Sequence, residues 1–358
     1  MRIAQVAPLA ESVPPRLYGG TERVVAWLIE ELVALGHDVT LFASGDSKTS
    51  ARLVPVWPRA LRLGRPRTDP MVPLTHLLEA VGRAARDFDV IHCHIDWVPL
   101  PLLSRLGVPF LTTTHGRLDL PGQGDLARRF PDAAYVSISD NQRLPLGEAN
   151  WLGTVYHGLP VNSLKPCFEP GSYLAFLGRL VREKGPEGAM RIARAAGLPL
   201  HIAAKVPSGE RGYFKEELAP KIDGHHVRLT GEVDDTTKQA FLAGAAALLF
   251  PIDWPEPFGL VMVEAMACGT PVLAFRGGAV EEVLRNGVTG AVVDTVDEAV
   301  AALPGVLALD RAACREEFER RFSARRMARD YVRVYERLME TSRRAPAPGW
   351  SAGAASHG

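Results

Sequence analysis

The sequence predicts an α/β protein of two Rossmann-like, doubly wound parallel-sheet domains that face a central cleft. Three observations carry this. Short apolar, β-branched runs alternate with helical periodicity along almost the whole chain. The alternation completes one α/β set and then begins a second near Pro160–Glu169. The glycine-rich and charged clusters fall just after strands, where open parallel sheets bind ligands.

In order, Arg2–Ala7 reads as a buried strand rather than a secretion signal. Thr21–Leu35 is helical with Gly36 as its stop, and His37–Ala43 is a strand. Residues 51–73, rich in proline and carrying Arg52, Arg59, Arg62, Arg65 and Arg67, read as a loop excursion. Leu74–Asp87 is a helix, followed by strands at Val90–His94, Phe110–Thr114, Ala134–Ser139 and Gly153–His157. The second set opens with a strand at Tyr173–Gly178. The helix Pro186–Ala196 follows, bounded by proline at its first position and Gly197 beyond its end. Strands at Leu200–Ala204, Val227–Gly231, Ala247–Phe250, Pro271–Phe275 and Gly290–Val293 complete it. The expected domains are therefore 1–165 and 166–323, with a terminal helix Ala324–Glu340 and a disordered tail over 341–358.

Composition excludes several classes. The 358 residues hold 41 Lys and Arg against 41 Asp and Glu, a balance that argues against nucleic acid as partner. Cys93, Cys167, Cys268 and Cys314 are scattered without CxxC spacing and read as reduced thiols of a cytoplasmic protein. No apolar run reaches the roughly 18 residues of a membrane span. His92 and His94 share a strand face, but no further ligands complete a zinc site. Gly349-Trp-Ser-Ala-Gly353 fits GxSxG without the preceding strand that motif needs.

The richest stretch is Glu256-Pro-Phe-Gly-Leu-Val-Met-Val-Glu264, followed by Ala-Met-Ala-Cys-Gly-Thr-Pro-Val. If both glutamates are helical, Glu264 lies roughly 80° around the axis from Glu256. The N–H groups of Phe258, Gly259 and Leu260 would form an anion site at the helix mouth. Leu17-Tyr-Gly-Gly-Thr-Glu-Arg23 follows the first strand; its Gly19 and Gly20 allow close backbone approach at a helix N-terminus. His94-Ile-Asp96 and Thr113-Thr-His-Gly116 end strands of the first set. In Gly178-Arg-Leu-Val-Arg-Glu-Lys-Gly185, Arg179 and Lys184 suit a diphosphate clamp. Gly231-Glu232-Val233 ends another strand, Gly277-Gly278 offers one more backbone approach, and Asp234 reads as a helix start. No Asp-x-Asp pair of metal-ligand character ends a strand in the second half.

Taken together these motifs resemble the family 4 glycosyltransferases of GT-B architecture, over roughly residues 1–340. The resemblance implies retaining transfer of a hexose from a nucleotide sugar to an acceptor hydroxyl, without an essential metal or a separate cofactor. By position it makes His115, Glu256, Arg179 and Lys184 the catalytic set. Arg179 and Lys184 would hold the donor diphosphate, Glu256 the sugar hydroxyls, Glu264 the ribose and His115 the sugar. Gly19, Gly20, Phe258, Gly259 and Leu260 would line the sugar and diphosphate, and Gly231, Glu232 and Val233 the base. The terminal helix would cross back onto the N-terminal domain. Two departures stand out. Pro257 offers no amide where many relatives have glycine, and Tyr156-His157-Gly158 replaces a frequent Asn-Gly pair. Val6–Asp46 further resembles bacterial enzymes that glucosylate small molecules, so UDP-glucose is the favoured donor and a soluble small molecule or saccharide the expected acceptor. The remaining alternatives are a GT-B UDP-N-acetylhexosamine 2-epimerase and a non-catalytic nucleotide-sugar-binding protein.

Overall fold

A computed structural model describes residues 1–16, 19–62 and 64–344. Its strands are β1 (Arg2–Val6), β2 (Asp38–Ser44), β3 (Arg52–Trp57), β4 (Val90–Cys93), β5 (Phe110–Thr113), β6 (Ala134–Ser137) and β7 (Trp151–Thr154), then β8 (Tyr173–Arg179), β9 (Leu200–Lys205), β10 (Val227–Gly231), β11 (Ala245–Phe250), β12 (Val272–Phe275) and β13 (Gly290–Val293). They form a seven-stranded sheet in the order β3-β2-β1-β4-β5-β6-β7 and a six-stranded sheet in the order β10-β9-β8-β11-β12-β13. All pairings are parallel. Each sheet reverses its winding once, between β1 and β4 and between β8 and β11, which marks a ligand crevice in each half.

Because both faces of a parallel sheet are covered by crossover helices, its strands are continuously apolar. In the first sheet Ile3, Leu41, Val90, Leu111 and Val136 pack on one face, and Ala4, Phe42, Ile91 and Tyr135 on the other. The terminal helix Ala324–Arg344 joins the first of these cores through Met327, Tyr331, Tyr335 and Leu338. The chain thus returns from the second sheet to close over the first.

Several expectations need correction. The 51–73 segment is not all loop, since Arg52–Trp57 pairs with β2 as an edge strand. An edge tolerates Pro55, and the register shifts beside it between Ala43 and Ser44. The next helix spans Met71–Ala84, starting before the expected Leu74, because Pro73 sits in a first turn where its missing N–H costs nothing. The strand expected at Gly153–His157 is Trp151–Thr154; Val155 onward turns across the seam. The last helix continues to Arg344, so 341–344 are helical. The rest of the expected tail, with the GxSxG match, lies outside the described residues, as do Leu17 and Tyr18.

Candidate functional site

The predicted site residues gather at the two crevices. Gly19 and Gly20 follow β1 and open the helix Gly20–Ala34. Across the cleft, Leu260 opens the helix Leu260–Ala267. The two helix mouths meet: a Cβ on Gly20 would lie 3.7 Å from Leu260 Cδ1. First-turn amides of a helix have no intrahelical partner, so two positive ends converge here.

Glu256 is not helical, which corrects the angular argument made for it. The helix begins only after Gly259, which holds φ 84°, and Glu256 lies in the loop beyond β11. That loop is pinned from both sides. Ala279 N–H donates to the Glu256 carbonyl at 2.8 Å. Gly278 packs so closely that a Cβ there would come within 2.1 Å of the same oxygen. Pro257, the departure from the family pattern, puts its carbonyl to use: Ser139 Oγ donates to it at 2.7 Å across the seam.

The Glu256 carboxylate accepts from Lys184 Nζ and, at 3.1 Å, from Trp254 Nε1. Lys184 also lies 4.4 Å from the centre of the Trp254 ring. Its side chain is 15% exposed and that of Glu256 11%, so this is a largely desolvated pair. Arg179, at the end of β8, bonds Glu183 at 3.1 Å, while its Nε is buried without a partner. Deeper in, Glu264 accepts from Lys238 Nζ at 2.5 Å, both nearly buried. Beneath this helix Arg315 donates to the Ala267 carbonyl at 2.6 Å, placing a cation at the helix C-terminus. Arg311 donates to the carbonyls of Cys167, Ala243 and Ala245.

Gly231 ends β10 with φ 87°, the exposed Glu232 and partly buried Val233 follow, and Asp234 caps the helix Asp235–Ala243 as expected. Among the described residues no cluster of His, Cys, Asp and Glu is arranged to hold a metal ion.

The opposite wall is built from neutral groups. His115, just past β5, faces His94 with Nε2···Nδ1 at 2.9 Å. It stacks on His157 at 5.3 Å, and His157 meets Phe258 of the Glu256 loop edge-on at 4.9 Å. His92 lies beside His94 with ring centres 4.0 Å apart, so the two strand-face histidines join a chain of imidazoles. Burial pushes His115 down to about 3 and lowers His92, His94 and His157 well below the ordinary histidine range. Asp96, a non-glycine residue at φ 47°, accepts a hydrogen bond from the His115 backbone, while burial raises its pKa.

Sequence reasoning missed Trp254, Lys238, Gln5, Tyr331 and Tyr335 as site or supporting residues, and noted His157 only as a departure from the family pattern. Trp254 lies two residues from Glu256 and was within reach of inspection. Lys238 reaches Glu264 from 26 residues away and Tyr335 reaches His92 from 243, separations that no local pattern reveals.

Comparison with known proteins agrees with this architecture. A family model described as glycosyl transferases group 1 matches residues 166–321, and one described as glycosyltransferase family 4 matches residues 18–143. A phosphatidyl-myo-inositol mannosyltransferase of Mycolicibacterium smegmatis is 31% identical, over 94% of either chain. A D-inositol 3-phosphate glycosyltransferase of Mycolicibacterium vanbaalenii is 26% identical over 82% of this chain and 79% of its own. Among solved structures, AviGT4, a glycosyltransferase of avilamycin A biosynthesis, shares 25% identity at a TM-score of 0.72 and covers 95% of this chain and 98% of its own. Anabaena Alr3699/HepE, solved with UDP and glucose, shares the fold at a TM-score of 0.71 and 18% identity, over 94% of this chain and 100% of its own. The chain belongs to the family 4 glycosyltransferases and is an enzyme of GT-B architecture.

Proposed function

We propose that the enzyme moves a hexose, with retention, from a nucleotide sugar to a hydroxyl of a soluble acceptor, and that UDP-glucose is the favoured donor. The observation that carries this reading is the pair of cations, Lys184 largely buried on Glu256 and Arg179 half-buried at the end of β8, together with two converging helix N-termini. In this reaction the bond from sugar C1 to the diphosphate oxygen breaks and one from C1 to the acceptor oxygen forms. The acceptor proton leaves with the diphosphate. The growing negative charge is met by Arg179, Lys184 and helix amides, which makes a divalent metal unnecessary. Glu256, held by Lys184 and Trp254, accepts from sugar hydroxyls; Glu264 takes the ribose, and His115 meets the sugar from the other wall. Gly231, Glu232 and Val233 border the base.

The acceptor enters from the N-terminal half. A cavity of about 280 Å³ there is lined by Glu11, Ser12, Arg16, Asp46 and Arg59. Its arginines and carboxylates suit a phosphorylated polyol, and one of the relatives is named a D-inositol 3-phosphate glycosyltransferase. No helix among the described residues is long and apolar enough to cross a membrane.

The test incubates the protein with a panel of nucleotide sugars and acceptors that includes inositol phosphates and oligosaccharides, in the presence and absence of EDTA. Acceptor-dependent release of UDP from UDP-glucose, an α-linked product and indifference to chelator are expected. An epimerised nucleotide sugar without released diphosphate would overturn transfer. Release abolished by EDTA and restored by magnesium would overturn metal independence.

A further inference from the structure

The buried hydrogen-bond chain behind His115 has a direction, and the direction fixes which His115 nitrogen is left as an unpaired acceptor. The chain starts at Gln5 on β1, whose side chain is wholly buried. Its Nε2 donates to Tyr335 Oη at 3.1 Å, and its Oε1 faces His94 Nε2 at 2.8 Å. An amide oxygen only accepts, so His94 carries its proton on Nε2. A neutral imidazole then has its lone pair on Nδ1. That nitrogen faces His115 Nε2, so His115 must donate from Nε2. The remaining nitrogen of His115, Nδ1, is left as a lone pair, and it is buried without a partner. The other arm of the network agrees. Tyr335, already accepting from Gln5, donates to His92 Nδ1 at 2.7 Å, and His92 Nε2 donates to Thr113 Oγ1 at 2.7 Å. Turning the Gln5 amide over would reverse every bond in the chain. It would leave a buried N–H at His115 Nδ1 without an acceptor, the rarer and costlier kind of orphan.

We propose that Gln5 and His94 are positioning residues that lock His115 in one tautomer, with Nε2 protonated and the Nδ1 lone pair held for a donating hydroxyl of the transferred sugar. The inference rests on the reading that His115 meets the sugar. The locked tautomer adds a rule to it: at that position the sugar must carry a group able to donate a hydrogen bond. A buried chain of neutral rings, rather than a charged partner, keeps the imidazole oriented without placing a charge beside the developing positive sugar centre.

The test is made on the full-length protein with ¹⁵N-labelled histidine, by two-bond ¹H–¹⁵N correlation at neutral pH. His115 is expected as the Nε2–H tautomer with an unprotonated Nδ1, and the opposite tautomer overturns the proposal. Replacement of Gln5 by leucine (Gln5→Leu) should mix the two tautomers and lower kcat about tenfold, the worth of one neutral hydrogen bond, while donor KM changes by less than about twofold. A folded Gln5→Leu enzyme with kcat unchanged also overturns it. If that variant does not fold, the wild-type spectrum decides alone. Absence of any glycosyl transfer would strike the underlying reading, whereas the tautomer stands or falls on the spectrum.

Discussion

On the donor side of the cleft the polar anchors are ion pairs: Lys184 with Glu256, Lys238 with Glu264 and Arg179 with Glu183. On the opposite wall, around His115, they are neutral, a run of imidazoles, hydroxyls and one amide joined by hydrogen bonds of 2.7–3.1 Å. On the proposed function, the difference follows the ligand each wall would meet. A diphosphate brings negative charge, so cations must stand ready, and carboxylates hold them in place while the site is empty of substrate. The transferred sugar brings no charge, and a desolvated ion facing it would have nothing to pair with. The two walls should therefore fail under different insults.

Acid should produce the largest effect, and on the neutral wall. The folded-state pKa values of His92, His94, His115 and His157 lie below the unfolded value of about 6.5. The unfolded chain then binds the protons, so the stability these groups contribute is present above about pH 6.5 and is lost as pH falls toward their folded values. Each contributes a slope of up to about 1.4 kcal/mol per pH unit in that window. Urea midpoints at pH 7.5 and pH 5.5 should differ by several kcal/mol in stability. Equal midpoints would mean that these rings are not held neutral.

Gly278→Ala strikes the charged wall through its backbone. With its Cβ forced against the Glu256 carbonyl, at a φ of 57°, the loop must move. A loss of about 1–3 kcal/mol in stability is expected, with a larger loss of transfer than of fold. Unchanged melting and kinetics would show that the Glu256 loop is not constrained by its neighbour. Glu264→Gln should do least. It keeps the shape but removes the charge that Lys238 bonds, and donor KM should rise about three- to tenfold with kcat nearly constant. A fall in kcat instead would place Glu264 at the reacting centre.

How much of this was legible in the sequence differs between the walls as well. The charged wall is written locally. Arg179 ends a strand, Lys184 and Glu256 sit in the loops that follow strands, and Glu264 lies in the helix beyond, so alternation and strand-end placement point to them. The neutral wall is assembled from β1, β4, β5 and the terminal helix. His94 and His115 end strands and draw notice, but their partners Gln5, Tyr331 and Tyr335 look like ordinary core residues of a strand and a helix. Arg52–Trp57 was hidden by its proline and arginines because an edge strand needs only one partner, and its apolar content is correspondingly weak. Glu256 precedes the helix, so the angular relation to Glu264 that holds if both are helical does not apply; the left-handed Gly259 that delays the helix is a backbone property that composition does not display.

The central claim is the division of labour between a charged wall that binds the diphosphate and a neutral wall that meets the sugar. Titration calorimetry with UDP on the wild type, Lys184→Ala and His115→Ala tests it most directly, with transfer rates measured on the same samples. The account predicts that Lys184→Ala weakens UDP binding at least about tenfold, the worth of a charge-assisted contact. His115→Ala should leave UDP affinity within about twofold while still slowing transfer. Equal losses of UDP affinity in both variants, or none in Lys184→Ala, would contradict it.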